Sequence, residues 1–191
     1  VSRAIKAKGW EVAIQAIALV RQRTEADVEL LLIGDGPEAA RLQRHWPQPW
    51  IHWLGLQPDS RPWFACADLG LLPSSFSAES QPLTLIECLQ AGRPLVASNI
   101  GDIATMLNGP KGLAGTLIEL RQGVVEPLDV AEAIEAYLRE PERLSRHQAR
   151  SPAAAGRFRW DAMVDAYDLY QSALTTAPSP TCGSSARRWR D

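Results

Sequence analysis

Cysteine is scarce in this sequence, and metal-ligand spacings are absent from it. The 191 residues include three cysteines, Cys66, Cys88 and Cys182, with no CxxC pair, and three histidines scattered along the chain. An odd number of widely separated cysteines argues against a disulfide framework, and the missing ligand spacing argues against a structural zinc site. We therefore expect a protein of a reducing compartment, the cytoplasm, that holds no metal ion.

Long apolar runs and an excess of charge of one sign are also absent. Lys and Arg number 20 against 22 Asp and Glu, a formal net charge of -2. This balance provides no general attraction for nucleic acid, and no apolar run is long enough to span a bilayer. The chain does have 46% hydrophobic residues, enough for the core of one domain plus an appendage. Its first residues, Val1-Ser2-Arg3, resemble the end of a strand, so we expect a piece of a longer protein.

Apolar residues alternate between helical and strand periodicity along most of the chain. Trp10, Ile14 and Ile17 recur at helical spacing, and Val28–Ile33 is a short apolar block typical of a buried strand. The same reasoning predicts helices near 37–45, 63–67, 82–90, 103–107, 128–138 and 141–148, and strands near 51–54, 69–72, 94–97 and 117–118. Strands alternating with helices predict an α/β fold, a doubly wound, Rossmann-like parallel sheet with helices on both faces.

Composition divides the chain into three parts. Residues 1–150 carry the alternating pattern and are predicted to form one domain. Residues 151–174 contain an alanine-rich linker and a last helix with Trp160, Met163 and Tyr167 on one face. Residues 175–191 are rich in proline, serine and glycine, which predicts a disordered tail.

The loop and helix around residues 79–87 form the most informative stretch. Glu79 is predicted in a loop and Glu87 on the following helix, whose first N–H groups, near Leu83 and Thr84, have no intrahelical partner. These donors and the helix dipole favour an anion such as a diphosphate. The two carboxylates can accept hydrogen bonds from neutral hydroxyls on either side of it, with a sugar at Glu79 and a ribose at Glu87. The plain alternative is an ordinary glutamate in an N-terminal turn and an exposed glutamate on a helix.

Two cations are predicted on the same rim of the sheet. In doubly wound folds, ligands bind at the carboxyl ends of the strands, which places the loop with Arg3 and Lys8 beside the loops at 34–37 and 73–81. A guanidinium and an ammonium can neutralise a leaving diphosphate in place of a metal ion. Two solvated surface cations are the alternative for this pair.

Taken together, these residues carry a family resemblance that runs from Val1 to about Leu174. The sequence resembles the C-terminal domain of family-four retaining glycosyltransferases of the GT-B fold. The motifs that carry this resemblance, in chain order, are Ser2-Arg3-x4-Lys8-Gly9, Ile33-Gly34-Asp35-Gly36-Pro37, Leu54-Gly55, Ala67-Asp68, Leu72-Pro73-Ser74, Glu79-x7-Glu87 and Ala91-Gly92-Arg93-Pro94.

The resemblance implies a function and a role for each site residue. The chain would be the donor-binding half of an enzyme that transfers a sugar from a nucleoside-diphosphate sugar to an acceptor hydroxyl with retention. Glu79, Arg3 and Lys8 would form the catalytic group, in which Arg3 and Lys8 hold the diphosphate and Glu79 contacts the donor sugar. Glu87 would hold the ribose. The remaining donor contacts would come from Gly34, Gly36, Leu83 and Thr84.

The resemblance also implies partners beyond this chain. An N-terminal domain, absent from this sequence, would bind the acceptor, which could be a glycan, a lipid or a small molecule. The full-length enzyme could be peripheral to a membrane. No cofactor other than the donor substrate is expected. The chain departs from the family at Ser80-Gln81, where glycine and an aliphatic or aromatic residue are usual. It departs again at Gly101–Thr105, where one carboxylate expected from the family is missing.

Three other functions stay open at this point. Gly34-Asp35-Gly36-Pro37-Glu38-Ala39 loosely fits a dinucleotide fingerprint, but no acidic residue ends the next strand, as a nicotinamide oxidoreductase would require. A sugar epimerase of the same fold would need further acid and base groups beside Glu79. A non-catalytic nucleotide-sugar binding module would use the same site without chemistry.

Overall fold

The computed structural model describes residues 1–176, which form an α/β fold with short strands and longer helices. Short 3-10 turns lie at Lys6–Lys8 and Gly156–Phe158. The helices are α1 (Trp10–Thr24), α2 (Ala39–His45), α3 (Arg61–Cys66), α4 (Leu83–Gln90), α5 (Ile103–Leu107), α6 (Pro127–Arg139), α7 (Pro141–Ala155) and α8 (Trp160–Thr176). The strands are β1 (Leu30–Ile33), β2 (Ile51–Gly55), β3 (Gly70–Leu72), β4 (Leu95–Ser98), β5 (Asn108–Gly109), β6 (Gly112–Leu113) and β7 (Gly115–Ile118).

The longer strands pair in parallel, as the alternating pattern predicts. β1 pairs with β2, and β3, β4 and β7 form a three-stranded sheet in the order β3-β4-β7. The short β5 and β6 form an antiparallel hairpin that the sequence analysis did not predict. The α/β class with parallel strands is thereby confirmed, although β1–β2 and β3–β4–β7 are separate sheets.

A single apolar cluster joins α1 and α6 to the strands. Ile14, Val20 and Val130 are completely buried in it, and Ile134 is nearly so. Burial of each such side chain stabilises the fold by about 1.5–3 kcal/mol. Because α1 and α6 pack on each other and on the strands, the loop that leads into α1 is held against a rigid base.

The first domain continues beyond the predicted boundary at residue 150. Residues 151–155, predicted as a linker, are the last turn of α7, and the compact unit runs from Val1 to Gly156. Pro152 lies inside this helix and removes one backbone hydrogen bond. The helix continues through residues 151–155 because Ser151 and Ala154 are buried. Ala154 packs closely on Gly109, since a Cβ added to Gly109 would lie 2.9 Å from the Ala154 Cα.

The second unit begins at Arg157 and contains α8. Along this helix Trp160, Met163 and Tyr167, the predicted stripe, are exposed. The helix continues through Thr176, so the predicted tail begins no earlier than residue 177, and the prediction of disorder for 177–191 lies outside the described residues. Within residues 1–176 no helix combines the length and apolarity needed to cross a bilayer.

Candidate functional site

Three loops predicted to share one rim are joined by backbone hydrogen bonds. Ala4 donates its N–H to the carbonyl of Asp35 at 2.8 Å, which ties the Arg3 segment to the loop after β1. Ser75 donates its N–H to the carbonyl of Ala7 at 2.8 Å, which ties the turn bearing Lys8 to the loop after β3. The predicted shared rim is therefore present.

Lys8 and Glu79 meet in this rim as a largely buried ion pair. The Lys8 ammonium contacts Glu79 Oε1, and the Glu79 side chain is only 4% exposed. Ser74 Oγ donates to the same carboxylate oxygen at 2.7 Å, and the ring of Phe76 lies 4.9 Å from Lys8 Nζ. Because removing one partner of a buried pair leaves an uncompensated charge, at a cost of about 3–5 kcal/mol, the two residues act as a unit. Sequence reasoning placed them on one rim but missed Ser74 and Phe76.

The backbone at Glu79 is held by a second loop, which follows β4. Asp102 donates its N–H to the carbonyl of Glu79 at 3.0 Å. Gly101 has a φ of +53°, and a Cβ there would lie 1.9 Å from the same carbonyl oxygen. This close approach requires glycine. No role was predicted for Gly101; the signal that could have found it is a glycine in the short loop between β4 and α5.

Glu87 lines a pocket of about 320 Å³ whose lining does not include Lys8 or Glu79. Ser60 Oγ donates to Glu87 Oε2 at 2.5 Å. Arg61 forms a bidentate pair with Asp59, and this hydrogen bonding holds the pKa of the Asp59 carboxyl below its usual value. The residues that line the pocket are Val1, Gln57, Pro58, Asp59, Ser60, Arg61, Leu83, Thr84 and Glu87.

The N-terminus of α4 opens into this pocket. The N–H of Leu85 bonds to the carbonyl of Pro82 at 3.0 Å, whereas among the described residues the N–H groups of Leu83 and Thr84 have no backbone partner. Thr84 Oγ1 donates to the carbonyl of Val1 at 2.6 Å. The predicted association of Leu83, Thr84 and Glu87 in one place is therefore present in the structure, and it offers free donors beside a carboxylate.

Arg3 and the glycines after β1 lie next to each other, in different roles. The Arg3 side chain is exposed, forms no ion pair with any of residues 1–176, and does not line the pocket that contains Glu87. Gly34 has a φ of +132°, and a Cβ there would lie 1.9 Å from the carbonyl oxygen of Ser2. Gly36 similarly packs against the backbone of Ala4. The glycines thus position the segment that carries Arg3, and their direct contact with a donor stays a prediction.

Two other titratable groups belong to the packed interior. Burial raises the pKa of the Cys88 thiol to about 12, so the thiol stays protonated and unreactive at neutral pH. Burial, with the nearby positive charges of α7, lowers the pKa of His147 to about 4. Tyr137 Oη lies 2.7 Å from His147 Nδ1, a hydrogen bond that a neutral imidazole can accept. Although Cys88 follows Glu87 on α4, neither group lines the pocket that contains Glu87.

The chain is similar in sequence to known proteins over most of its length. Residues 1–140 match the family model described as glycosyl transferases group 1. A D-inositol 3-phosphate glycosyltransferase of Nocardia farcinica is 29% identical over 95% of this chain and 41% of its own length. A phosphatidyl-myo-inositol mannosyltransferase of Propionibacterium freudenreichii is 30% identical over 77% of this chain and 36% of its own length. The chain therefore spans well under half the length of these curated relatives.

Solved structures share the fold at lower identity. HepE of Anabaena, solved in complex with UDP-glucose, has a TM-score of 0.72 and 20% identity over 91% of this chain and 47% of its own. The catalytic domain of a cholesterol-alpha-glucosyltransferase from Helicobacter pylori has a TM-score of 0.68 and 19% identity over 83% of this chain and 96% of its own. These neighbours are GT-B glycosyltransferases, so the predicted GT-B fold is confirmed.

Proposed function

This chain belongs to the glycosyl transferases group 1 family, and from that membership we propose that it is the donor-binding half of a retaining glycosyltransferase. Its substrate would be a nucleoside-diphosphate sugar, and the acceptor would carry a hydroxyl group. The observation that carries the proposal is the free N-terminus of α4, which shares a pocket with Glu87 and follows the loop that carries Glu79. UDP is the first nucleotide to test, because HepE was solved with UDP-glucose.

The diphosphate would bind through free N–H donors and through positive charge. The N–H groups of Leu83 and Thr84 point out of the first turn of α4, where the helix dipole also favours an anion. Arg3 has no carboxylate partner within residues 1–176, so its guanidinium is free to pair with phosphate. Lys8 has three N–H donors, and its contact with Glu79 leaves the others for a phosphate oxygen.

The two carboxylates would hold the two sugars of the donor. Glu87 is oriented by Ser60 and lies in the pocket with Leu83 and Thr84, where a ribose hydroxyl could donate to it. Glu79 is oriented by Lys8 and Ser74, so its remaining acceptor capacity would be directed at the transferred sugar. Both carboxylates would then act as acceptors for neutral hydroxyls, which limits their repulsion of the diphosphate.

In the proposed reaction the acceptor oxygen bonds to the anomeric carbon as the bond from that carbon to the diphosphate breaks. The acceptor proton passes to the departing phosphate oxygen on the same face of the sugar, which retains the configuration. Arg3 and Lys8 stabilise the charge that develops on the diphosphate. The proposal assigns no step to a metal ion.

Calorimetry with UDP, UDP-glucose and NAD tests this function. We expect UDP and UDP-glucose to bind with affinities that EDTA does not change. Arg3→Ala should weaken both, because a hydrogen bond between charged groups contributes about 1.5–3 kcal/mol, roughly 10- to 150-fold in affinity. Lys6→Ala removes an exposed cation from the same loop and is the matched control. Tighter binding of NAD than of UDP would reject the proposal in favour of an oxidoreductase.

A further inference from the structure

An arginine shares the pocket of Glu87 without pairing with it. Ser60 Oγ donates to Glu87 Oε2 at 2.5 Å, so the segment that leads into α3 contacts this carboxylate. Arg61, the next residue, lines the same pocket. Within residues 1–176 the ion pair that Arg61 forms is with Asp59, at 2.8 Å. Glu87 is therefore bonded to a neutral hydroxyl although a guanidinium lies in the same pocket.

Asp59 holds Arg61 by three hydrogen bonds. Arg61 Nε donates to Asp59 Oδ1 and Arg61 Nη2 donates to Asp59 Oδ2, both at 2.8 Å, which is the bidentate geometry that matches a guanidinium to a carboxylate. The backbone N–H of Arg61 also donates to Asp59 Oδ1, at 3.0 Å. Both residues are exposed, but a bidentate pair that is also tied to the backbone keeps its geometry better than a single contact between two side chains.

The negative charge of Glu87 acts on Arg61 in spite of this pairing. The pKa of the Arg61 guanidinium is raised above its usual value, chiefly by the hydrogen bonds to Asp59, and the charge of Glu87 adds to the increase. Two carboxylates thus attract the same cation, and Asp59 binds it. Without the charge of Asp59, the Arg61 side chain would have Glu87 as its carboxylate partner in this pocket.

The partner of Arg61 decides what Glu87 can offer a ligand. A carboxylate that accepts charged hydrogen bonds from a guanidinium has fewer lone pairs and less net charge left for a hydroxyl donor. As the chain is folded, Glu87 accepts from Ser60 through Oε2, and within residues 1–176 no hydrogen bond occupies its Oε1. This second oxygen is the atom that can accept from a ligand hydroxyl.

We propose that Asp59 is a positioning residue for nucleotide selectivity: by holding Arg61, it keeps Glu87 free to accept hydrogen bonds from the ribose hydroxyls of the donor. This inference rests on the proposed function, which assigns the ribose to Glu87. Asp59 itself needs no contact with the nucleotide, because it acts through Arg61. The selectivity it supports is for a nucleotide with ribose hydroxyls over one that lacks them.

Calorimetry with UDP and 2′,3′-dideoxy-UDP measures this selectivity. The second ligand keeps the base and the diphosphate but lacks both ribose hydroxyls. We expect the unsubstituted chain to prefer UDP by about tenfold or more, the effect of a hydrogen bond to a charged group. In Asp59→Asn, which keeps an acceptor for the Arg61 N–H but removes the charge, the preference should fall to about threefold or less. Asp59→Asn combined with Arg61→Gln should restore about tenfold, because no cation then occupies Glu87.

Asp27→Asn is the matched control for loss of an exposed Arg–Asp pair. Asp27 pairs with Arg21 at 2.9 Å and does not line the pocket that contains Glu87. This variant should keep the preference of the unsubstituted chain. A crystal structure of Asp59→Asn without nucleotide provides a readout that does not depend on the proposed function. In it we expect an Arg61 nitrogen within about 3.2 Å of a Glu87 carboxylate oxygen.

Several results would overturn the inference. One is an unchanged preference for UDP in Asp59→Asn, and another is a lost preference that Arg61→Gln does not restore. Tighter binding of both nucleotides by Asp59→Asn would also overturn it, since the released Arg61 would then pair with phosphate instead of Glu87. So would a structure of Asp59→Asn in which Arg61 stays apart from Glu87. Lack of UDP binding by the unsubstituted chain would instead contradict the proposed function, and the inference with it.

Discussion

Glu79 and Glu87 are similar in the sequence and different in their surroundings. Glu79 is buried and neutralised by Lys8, whereas Glu87 is half-buried and bonded to the neutral hydroxyl of Ser60. A carboxylate paired with a cation is fixed in position, and one held by a hydroxyl keeps its negative charge for a ligand. The two residues should therefore respond differently to substitution.

Replacement of each glutamate should separate the two ends of the proposed donor. Glu87→Ala should weaken both UDP and UDP-glucose, because its proposed partner is the ribose, and the loss of a hydrogen bond to a charged group costs about 1.5–3 kcal/mol. Glu79→Ala should weaken UDP-glucose and spare UDP. Calorimetry with both ligands measures the split, with Glu132→Ala, an exposed glutamate on α6, as the control. Equal losses for the two ligands in both variants would refute the assignment of the sugar and ribose ends.

Gly101 offers a test of how Glu79 is held. Gly101→Ala adds a Cβ that would meet the Glu79 carbonyl, in addition to the strain of a positive φ. Gly55→Ala is the matched control, since Gly55 also has a positive φ, +63°, but nothing lies within 4 Å of its added Cβ.

The control should lose about 1–2 kcal/mol of unfolding free energy from the left-handed conformation alone. Gly101→Ala should lose about 1–3 kcal/mol more, because backbone must shift to relieve the contact, and it should also weaken UDP-glucose. Urea denaturation measures both variants. Similar losses in the two would show that the loops at 79 and 101 are not closely coupled.

At the scale of elements, a buried hydrogen-bond chain links β7, α6 and α7. Thr116 Oγ1 donates to Tyr137 Oη at 3.1 Å, and Tyr137 in turn lies 2.7 Å from His147 Nδ1. This arrangement suits a neutral imidazole as the final acceptor. Arg143, a neighbour on α7 whose guanidinium lies over the Tyr137 ring, further opposes protonation of His147.

Stability should therefore fall in mild acid. Between the unfolded pKa of about 6.5 and the folded pKa of about 4, the unfolded chain binds a proton at His147 that the folded chain does not. The free energy of unfolding then rises with pH across this window, and the contribution of His147 to it is lost as pH falls from about 6.5 to 4. Urea denaturation at several pH values should show a shallower acid slope in His147→Gln. The exposed His45 provides the control, His45→Gln, and equal slopes in all three proteins would contradict the lowered pKa.

At the scale of the whole molecule, the proposed donor groups are one part of what sugar transfer requires. The proposed donor groups lie on one rim of the first unit, and the chain spans 41% of its relative from Nocardia farcinica and 47% of HepE. Sugar transfer needs donor and acceptor held at near-contact distance in a site from which water is excluded. Under the proposed function, this rim supplies the donor side of such a site.

We accordingly expect the 191-residue chain to bind donor and to transfer no sugar. The measurement is a transfer assay with UDP-glucose and a mixture of hydroxyl acceptors, run beside calorimetry on the same preparation. Donor binding without turnover is the expected result. Turnover that Glu79→Ala abolishes would show that the chain is catalytically sufficient and that the acceptor site lies within it.

Local sequence determined most of the elements of this protein. The helical spacing of Trp10, Ile14 and Ile17 and the apolar block at Val28–Ile33 predicted α1 and β1, because periodicity and burial are properties of neighbouring residues. The alternation of strands and helices likewise placed Lys8 and Glu79 on one rim, because the carboxyl ends of parallel strands share an edge of the sheet. The β5–β6 hairpin was missed because its two-residue strands are too short to show a periodic pattern.

Tertiary structure alone decided which distant groups meet. The Lys8–Glu79 ion pair, the bond from Ser60 to Glu87, and the approach of Gly101 to the Glu79 backbone join segments that no local pattern relates. The same holds for the end of the first unit, where α7 continues past Pro152 because Ala154 is buried. The physical reason is that these contacts depend on how packed elements are placed in space, and burial against a distant neighbour can outweigh the local preference of a residue.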